Sequence, residues 1–433
     1  MRVNLPFFKF RDTINLSGSN GGKAVKLFPR EDYLKKIRGF YHADDIIKVI
    51  TGVRRCGKSC LMQMIAEELC RQGIDDKQII YLDLDTRKYR KIKTADALEK
   101  LIEDNDPGIK PRYLFIDEIQ NVQNFEEVLN GFRTEGDWSI FITGSNSYLL
   151  SGELATKLTG RYLEFEVYPL SFEEFENMKE FYQIPLSPNP QEELTAFILE
   201  GGFPRAVLLE SKQDKRRYVQ GIIEEIFEKD IRKRVKIREK DTFEKLRAYI
   251  INNFGGRMSI SSIYRALKGN GIQITKQTVS RYVNILLDAK IIYECPRFDM
   301  KSKRSLQGEK KYYLSDLSFY YALNTDNTVQ YGPDLENIVY IYARAHDYAI
   351  SVGRIGKLEC DFIVRGEDQN YAYIQVAYTI ANSKDTMERE YHPLEMIRDN
   401  YPRYLMTTDY LLQRRNGIKH VNLIEFMKNG QKF

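Results

Sequence analysis

Residues 46–59 read Ile46-Ile47-Lys48-Val49-Ile50-Thr51-Gly52-Val53-Arg54-Arg55-Cys56-Gly57-Lys58-Ser59. A short apolar run, a glycine-bounded loop and an amphipathic stretch over 58–72 predict a strand, a tight turn and a helix, in that order. The two glycines let the loop curl so that backbone N–H groups converge on an anion, and the helix adds the positive end of its dipole. The G-x-x-x-x-G-K-S spacing therefore predicts a phosphate-binding loop built from Gly52, Val53, Arg54, Arg55, Cys56, Gly57, Lys58, Ser59 and Cys60. In such a loop Lys58 reaches the β and γ phosphates of ATP, and the Ser59 hydroxyl faces Mg²⁺.

Working outward, apolar runs at 79–84, 113–116 and 139–143 alternate with helical patterns at 95–102 and 125–133. Strands separated by helices predict a parallel sheet covered on both faces. The run Tyr113-Leu114-Phe115-Ile116 ends in Asp117 and Glu118. It is expected to lie beside the first strand, with Asp117 holding Mg²⁺ and Glu118 orienting the attacking water. The next run closes in Thr143-Gly144-Ser145-Asn146, which makes Asn146 the candidate γ-phosphate sensor. Arg161, in Thr159-Gly160-Arg161-Tyr162, is the candidate arginine finger, acting within the chain or across a subunit interface. A surface arginine beside Glu164 is the other reading of that residue.

The chain has 433 residues, with 42% hydrophobic and 29% charged. That balance excludes fibrous and disordered classes. Five cysteines show neither disulfide-framework nor zinc-ligand spacing, and no apolar stretch is long enough for a membrane helix or a signal peptide. A cytoplasmic protein is expected.

The pattern divides the chain into an appendage at 1–26, an α/β ATPase domain at 27–170, a helical connector at 171–240, a winged helix at 241–325 and an α/β tail at 326–433. The overall class is multidomain α/β. In the winged-helix segment Thr275 is a candidate N-cap. Lys276, Gln277, Ser280, Arg281 and Asn284 then face outward from the second helix, a set suited to phosphate and base-edge contacts with DNA. Between Arg257 and Lys311 twelve basic residues stand against four acidic ones, a net +8 in a chain whose total is +5. A protein-packing module with a solvated basic face is the alternative.

In the tail, Glu336, Asp361 and Gln375 fall in the order of a PD-(D/E)XK nuclease core, which this stretch resembles. That core needs a second acid and, two residues on, a lysine. Here those positions hold Gln375 and Ala377, so the restriction-endonuclease-like fold is expected without its chemistry, free to bind a protein partner. Cleavage would require Lys357 or Lys384 to enter the site.

Five motifs carry a wider resemblance: Ile-Thr-Gly-Val-Arg-Arg-Cys-Gly-Lys-Ser at 50–59, Phe-Ile-Asp-Glu-Ile-Gln at 115–120, Ile-Thr-Gly-Ser-Asn-Ser at 142–147, Leu-Thr-Gly-Arg at 158–161 and Gly-Gly-Phe-Pro at 201–204. The chain resembles RecA/AAA-type P-loop ATPases of bacteria and archaea that are fused to a restriction-endonuclease-like carboxy-terminal domain. The resemblance implies ATP binding and a catalytic Glu118, and it supplies no substrate. The expectation is a Mg²⁺-dependent ATPase that couples nucleotide state to DNA or a protein partner. Alternatives are a slow-cycling ATP-gated switch and an ATP-regulated DNA nuclease.

Overall fold

A computed structural model describes residues 26–144, 158, 160–232, 239–302, 304–325 and 328–433, which fall into two compact units. The first takes the described residues of 1–52 and 57–167, and the second takes 53–56 and 168–433.

The first unit opens with α1 (Glu31–Arg38), which buries Tyr33, Leu34 and Ile37 on one face. Then follow β1 (Ile47–Thr51), α2 (Lys58–Arg71), β2 (Ile79–Asp83), α3 (Ala95–Asn105), β3 (Arg112–Asp117), α4 (Phe125–Glu135), β4 (Trp138–Thr143) and β5 (Tyr162–Glu166). The strands form one parallel sheet in the order β2-β3-β4-β1-β5. Every residue of β1 and β4 is buried, as a strand covered on both faces requires.

This order corrects one expectation. β4, not β3, lies beside β1, so the strand carrying Asp117 is one place further out. Runs that are apolar on both faces carry no mark of which neighbour they pair with, so the sequence pattern cannot rank them. The insertion places the carboxyl end of β4 between the phosphate loop and Asp117.

The second unit begins with helices α5 (Phe172–Phe181), α6 (Pro190–Glu200), α7 (Pro204–Val207) and α8 (Lys212–Glu225), followed by a π-helical segment, Ile226–Ile231. Ser171 and Glu174 form a capping box on α5, and the Asn189 side chain caps α6 just before Pro190. The Gly201-Gly202 pair between α6 and α7 is set by close approach. A Cβ on Gly201 would stand 2.0 Å from Asp316 Oδ1, and one on Gly202 would stand 2.3 Å from the Leu170 carbonyl oxygen. The Gly202 amide donates to Asp316 Oδ2 at 2.7 Å, and its carbonyl accepts from Leu170 N at 2.7 Å.

Next come α9 (Lys240–Asn252), β6 (Arg257–Met258), α10 (Ile260–Gly269), α11 (Lys276–Asp288) and a hairpin of β7 (Ile292–Asp299) and β8 (Arg304–Leu314). After α12 (Ser318–Leu323) and α13 (Tyr331–Ala345), the tail adds β9 (Ala349–Ile355), β10 (Leu358–Arg365), β11 (Tyr371–Val376), α14 (Lys384–Glu395), β12 (Arg403–Thr407), β13 (Arg414–Arg415), β14 (Ile418–Asn422) and α15 (Leu423–Lys428). The strands from 257 onward make one nine-stranded sheet, β13-β14-β12-β11-β10-β9-β7-β8-β6. β7 pairs in parallel with β9, Arg297 opposite Val352 and Asp299 opposite Arg354. Hairpin and tail therefore share a backbone ladder that runs through the 325/326 boundary suggested by the sequence. Among the described residues, no helix is long and apolar enough to cross a membrane.

Candidate functional site

The loop after β1 has the backbone that its glycines permit. Gly52 sits at φ 139° and Gly57 at φ 108°, both left-handed values that admit glycine most easily. Gly57 opens α2, and the buried Lys58 folds back so that Nζ donates to the Gly52 carbonyl at 3.0 Å. Ser59 and Cys60 are half-buried in the first turn of α2, and the Ser59 carbonyl accepts from Tyr81 Oη at 3.4 Å.

Asp117 ends β3 almost fully buried. Thr143, at the end of β4, donates its hydroxyl to Asp117 Oδ1. The same Thr143 Oγ1 accepts from the Glu118 backbone N–H at 3.1 Å. Glu118 adopts φ 56°, ψ 46°, a left-handed turn that carries it out of the strand direction, and its Oε2 accepts from Gln120 Nε2. One threonine thus holds the two adjacent acidic residues. Asp83 stands opposite Asp117 in the β2–β3 register, and its carboxyl is pushed up by burial and then by the charge of Asp117. Burial also drives the Tyr81 hydroxyl well above the ordinary tyrosine range. Asp83, Thr143 and Tyr81 were not singled out from the sequence. The available signal was that each ends or interrupts an apolar run at the same edge of a parallel sheet.

Oxygen donors at Ser59 and Asp117, a buried ammonium at Lys58 and glycine-curled amides fit Mg²⁺ and a polyphosphate. Mg²⁺, when bound, neutralises charge on the β and γ phosphates.

Two of the expected site residues fare differently. Arg161 lies at the amino-terminal end of the strands, opposite the phosphate loop, since its carbonyl accepts from Ile47 N at 2.9 Å at the start of β1. Five residues of strand, roughly 16 Å at about 3.3 Å each, separate it from the loop, beyond an arginine's reach. Its Nη1 donates to Asn130 Oδ1 at 3.1 Å. The within-chain finger role is therefore removed, and a role across a subunit interface stays open. Asn146, the sensor candidate, lies outside the described residues.

Loop residues Val53–Cys56 group with the second unit. Val53 and Cys56 are fully buried. Arg54 pairs with Asp230 and Glu225, each at 3.3 Å, and Arg55 Nε reaches Glu225 Oε2 at 3.0 Å. Burial opposes the Glu225 charge, but Arg55, Lys229 and Arg54 outweigh it and hold the carboxyl down at about 2. These arginines therefore have carboxylate partners before any phosphate arrives, a constraint the motif alone does not reveal.

On α11, capped by Thr275 Oγ1 accepting from Thr278 N, the residues Lys276, Gln277, Arg281 and Asn284 are exposed and Ser280 is half-buried. Val279, Tyr282, Val283, Ile285 and Leu286 are buried. The predicted outward face is thus solvent-facing. The +8 of this segment shrinks, however, because several cations are engaged on the hairpin side. Arg257 and Arg297 pair with Glu359 at 2.6 and 3.3 Å, and Lys311 with Glu336 at 2.9 Å, both acids lying outside the segment.

In the tail, Asp361 Oδ2 accepts from Val376 N at 2.8 Å. Gln375 accepts from the Asp361 amide at 3.4 Å and donates to Glu390 Oε2 at 3.1 Å, so its amide is a structural cross-brace. Glu336 Oε2 accepts from Lys311 Nζ and from Tyr313 Oη, both at 2.9 Å. Lys311, not Lys357 or Lys384, is the lysine seen against these acids. Lys357 and Lys384 are exposed. Burial works against the Lys311 charge, yet Glu336, Asp361 and Glu359 prevail and raise its pKa above the ordinary lysine value.

An AAA domain family matches residues 44–176, and a domain of unknown function (DUF8612) matches 191–330, running from α6 to just beyond α12. A Haemophilus influenzae protein described as uncharacterized is 32% identical over 404 residues, spanning 93% of this chain and 98% of its own. A Methanocaldococcus jannaschii protein, also described as uncharacterized, is 31% identical over 353 residues, 79% of this chain and 77% of that one. Among solved structures, the fold is shared with a Walker-type ATPase of Pyrococcus abyssi, at TM-score 0.50 and 17% identity, over 69% of this chain and 96% of that one. Residues 44–176 are an AAA-type P-loop ATPase domain, and the chain belongs to the family of the Haemophilus influenzae and Methanocaldococcus jannaschii proteins.

Proposed function

We propose that this protein is a Mg²⁺-dependent ATPase that couples its nucleotide state to DNA binding through α11. The observation that carries the catalytic half is the Thr143 bridge, which fixes Asp117 and the Glu118 backbone together at the carboxyl end of the strands, the end that bears the phosphate loop. Lys58 and the loop amides bind phosphate, Ser59 and Asp117 hold the metal, and Glu118 accepts a hydrogen bond from the attacking water and orients it in line with the γ-phosphate. The left-handed turn at Glu118 supports that role, because it points the side chain away from the one before it.

The DNA half rests on the helix α10–α11 pair with its β7–β8 hairpin, the arrangement of a winged helix, and on the exposure of Lys276, Gln277, Arg281 and Asn284. The tail, with Gln375 tied to Glu390 and Ala377 in place of a lysine, is read as a nuclease-like fold without cleavage chemistry. ATP hydrolysis measured with and without duplex DNA across a salt series tests the coupling. Stimulation that fades with salt and is lost in Lys276→Ala/Arg281→Ala supports it, because phosphate contacts release counterions. Stimulation absent at every salt overturns the DNA reading and leaves a protein partner.

A further inference from the structure

The hairpin strand β8 sends Lys311 into the acids of the tail, and the ammonium is almost fully buried there. Its Nζ lies 2.9 Å from Glu336 Oε2 on α13 and 3.3 Å from Glu359 Oε1 on β10. Arg257 reaches Glu359 Oε2 at 2.6 Å and Arg297 reaches it at 3.3 Å. Tyr313, two residues after Lys311 on the same face of β8, donates to Glu336 Oε2 at 2.9 Å. Three cations from the β6–β8 side thus meet Glu336 and Glu359 from the tail, and the charge of Asp361 adds to the field that keeps Lys311 protonated.

We propose that the Lys311 ammonium is the permanent occupant of this cluster, standing where Glu336 and Asp361 would otherwise hold a divalent cation, so that the tail is closed to metal. A divalent ion entering there would face an ammonium already fixed 2.9 Å from Glu336 and 3.3 Å from Glu359. Buried carboxylates need a counter-charge, and here the chain supplies it covalently. The lysine also ties Glu336 and Glu359 to the hairpin, reinforcing the backbone ladder between β7 and β9. This inference goes beyond ATP turnover and does not depend on it.

The test is Mn²⁺ titration of the full-length, nucleotide-free protein, reading free Mn²⁺ by electron paramagnetic resonance. Wild type, Lys311→Ala, Lys311→Met and Lys311→Arg are each compared with and without Asp361→Asn, so that any ion at the phosphate loop cancels within each pair. The expected result is that Asp361→Asn changes nothing in wild type or Lys311→Arg. Lys311→Ala and Lys311→Met should gain one Mn²⁺ equivalent that Asp361→Asn removes. A wild-type Mn²⁺ equivalent that depends on Asp361 overturns the proposal. So does a folded Lys311→Ala or Lys311→Met, verified by its thermal transition, that gains none. If neither variant folds, the wild-type pair decides alone.

Discussion

Replacing Thr143 by valine keeps its volume and β-branching while deleting one hydroxyl. In the structure that hydroxyl has two partners: it donates to the Asp117 carboxylate and accepts from the Glu118 amide at 3.1 Å, in a fully buried position. A hydrogen bond to a charged group contributes about 1.5–3 kcal/mol, and a buried donor left without an acceptor costs about 1–3 kcal/mol. The two share one oxygen and do not simply add, so Thr143→Val should lower stability by about 2–4 kcal/mol. For a unit of this size that is a melting-temperature drop of about 5–12 °C. Because the Glu118 backbone loses its anchor, kcat should fall about 10–100-fold, or roughly 1.4–2.8 kcal/mol of barrier. KM for ATP should move little, since the phosphate loop is untouched. Thr143→Ser, which keeps the oxygen, should recover most of both losses. The assay is steady-state phosphate release beside thermal unfolding of the same samples. A Thr143→Val protein with wild-type kcat would refute the idea that this side chain positions Glu118.

Gly202→Ala should destabilise the second unit by about 1–3 kcal/mol or prevent its folding, because the new Cβ meets a backbone oxygen 2.3 Å away rather than a side chain that can turn aside; urea unfolding monitored by circular dichroism checks it. Lys48, fully buried in β1 with Ser139 Oγ at 2.9 Å, is pushed down to about 7 by burial, against the pull of Asp45 and Asp44. The unfolded chain then holds the extra proton between that value and the ordinary lysine range, so stability should climb as pH rises from about 7, and Lys48→Met should flatten that slope in melts taken across pH.

How far the sequence could be read follows from what each residue's neighbours are. The phosphate loop was legible because its chemistry is local: glycines, lysine and serine act within eight consecutive positions, between a strand and a helix that the apolar pattern marks. The outward face of α11 was legible for the same reason, since a helical period of 3.6 separates Lys276 and Arg281 from Val279 and Val283 without reference to the rest of the chain. Strand order was not, because β1, β3 and β4 are each built around an apolar run buried on both faces and nothing in those runs names a partner. The Thr143 bridge depends on that order, so it stayed hidden although Thr143 lies in a stretch already marked as polar. Arg161 was misplaced within the chain for the converse reason, as its motif does not say at which end of a strand it falls. Lys311 was counted as a surface charge because its acids lie 25 and 48 residues further on, past the point where the sequence pattern suggests a new domain. The β7–β9 ladder that brings them together is a long-range pairing with no local signature.

In the proposed mechanism Glu118, beside a Mg²⁺ held by Ser59 and Asp117, drives hydrolysis of ATP bound at the loop containing Lys58. Single-turnover hydrolysis of radiolabelled Mg-ATP by wild type and Glu118→Gln, with equilibrium binding measured on both, tests it most directly. Glu118→Gln should bind ATP with unchanged affinity and lose about 10²–10³-fold or more in hydrolysis rate, in the range of positioned acid–base groups. Hydrolysis at the wild-type rate by a Glu118→Gln protein that binds ATP normally would contradict it.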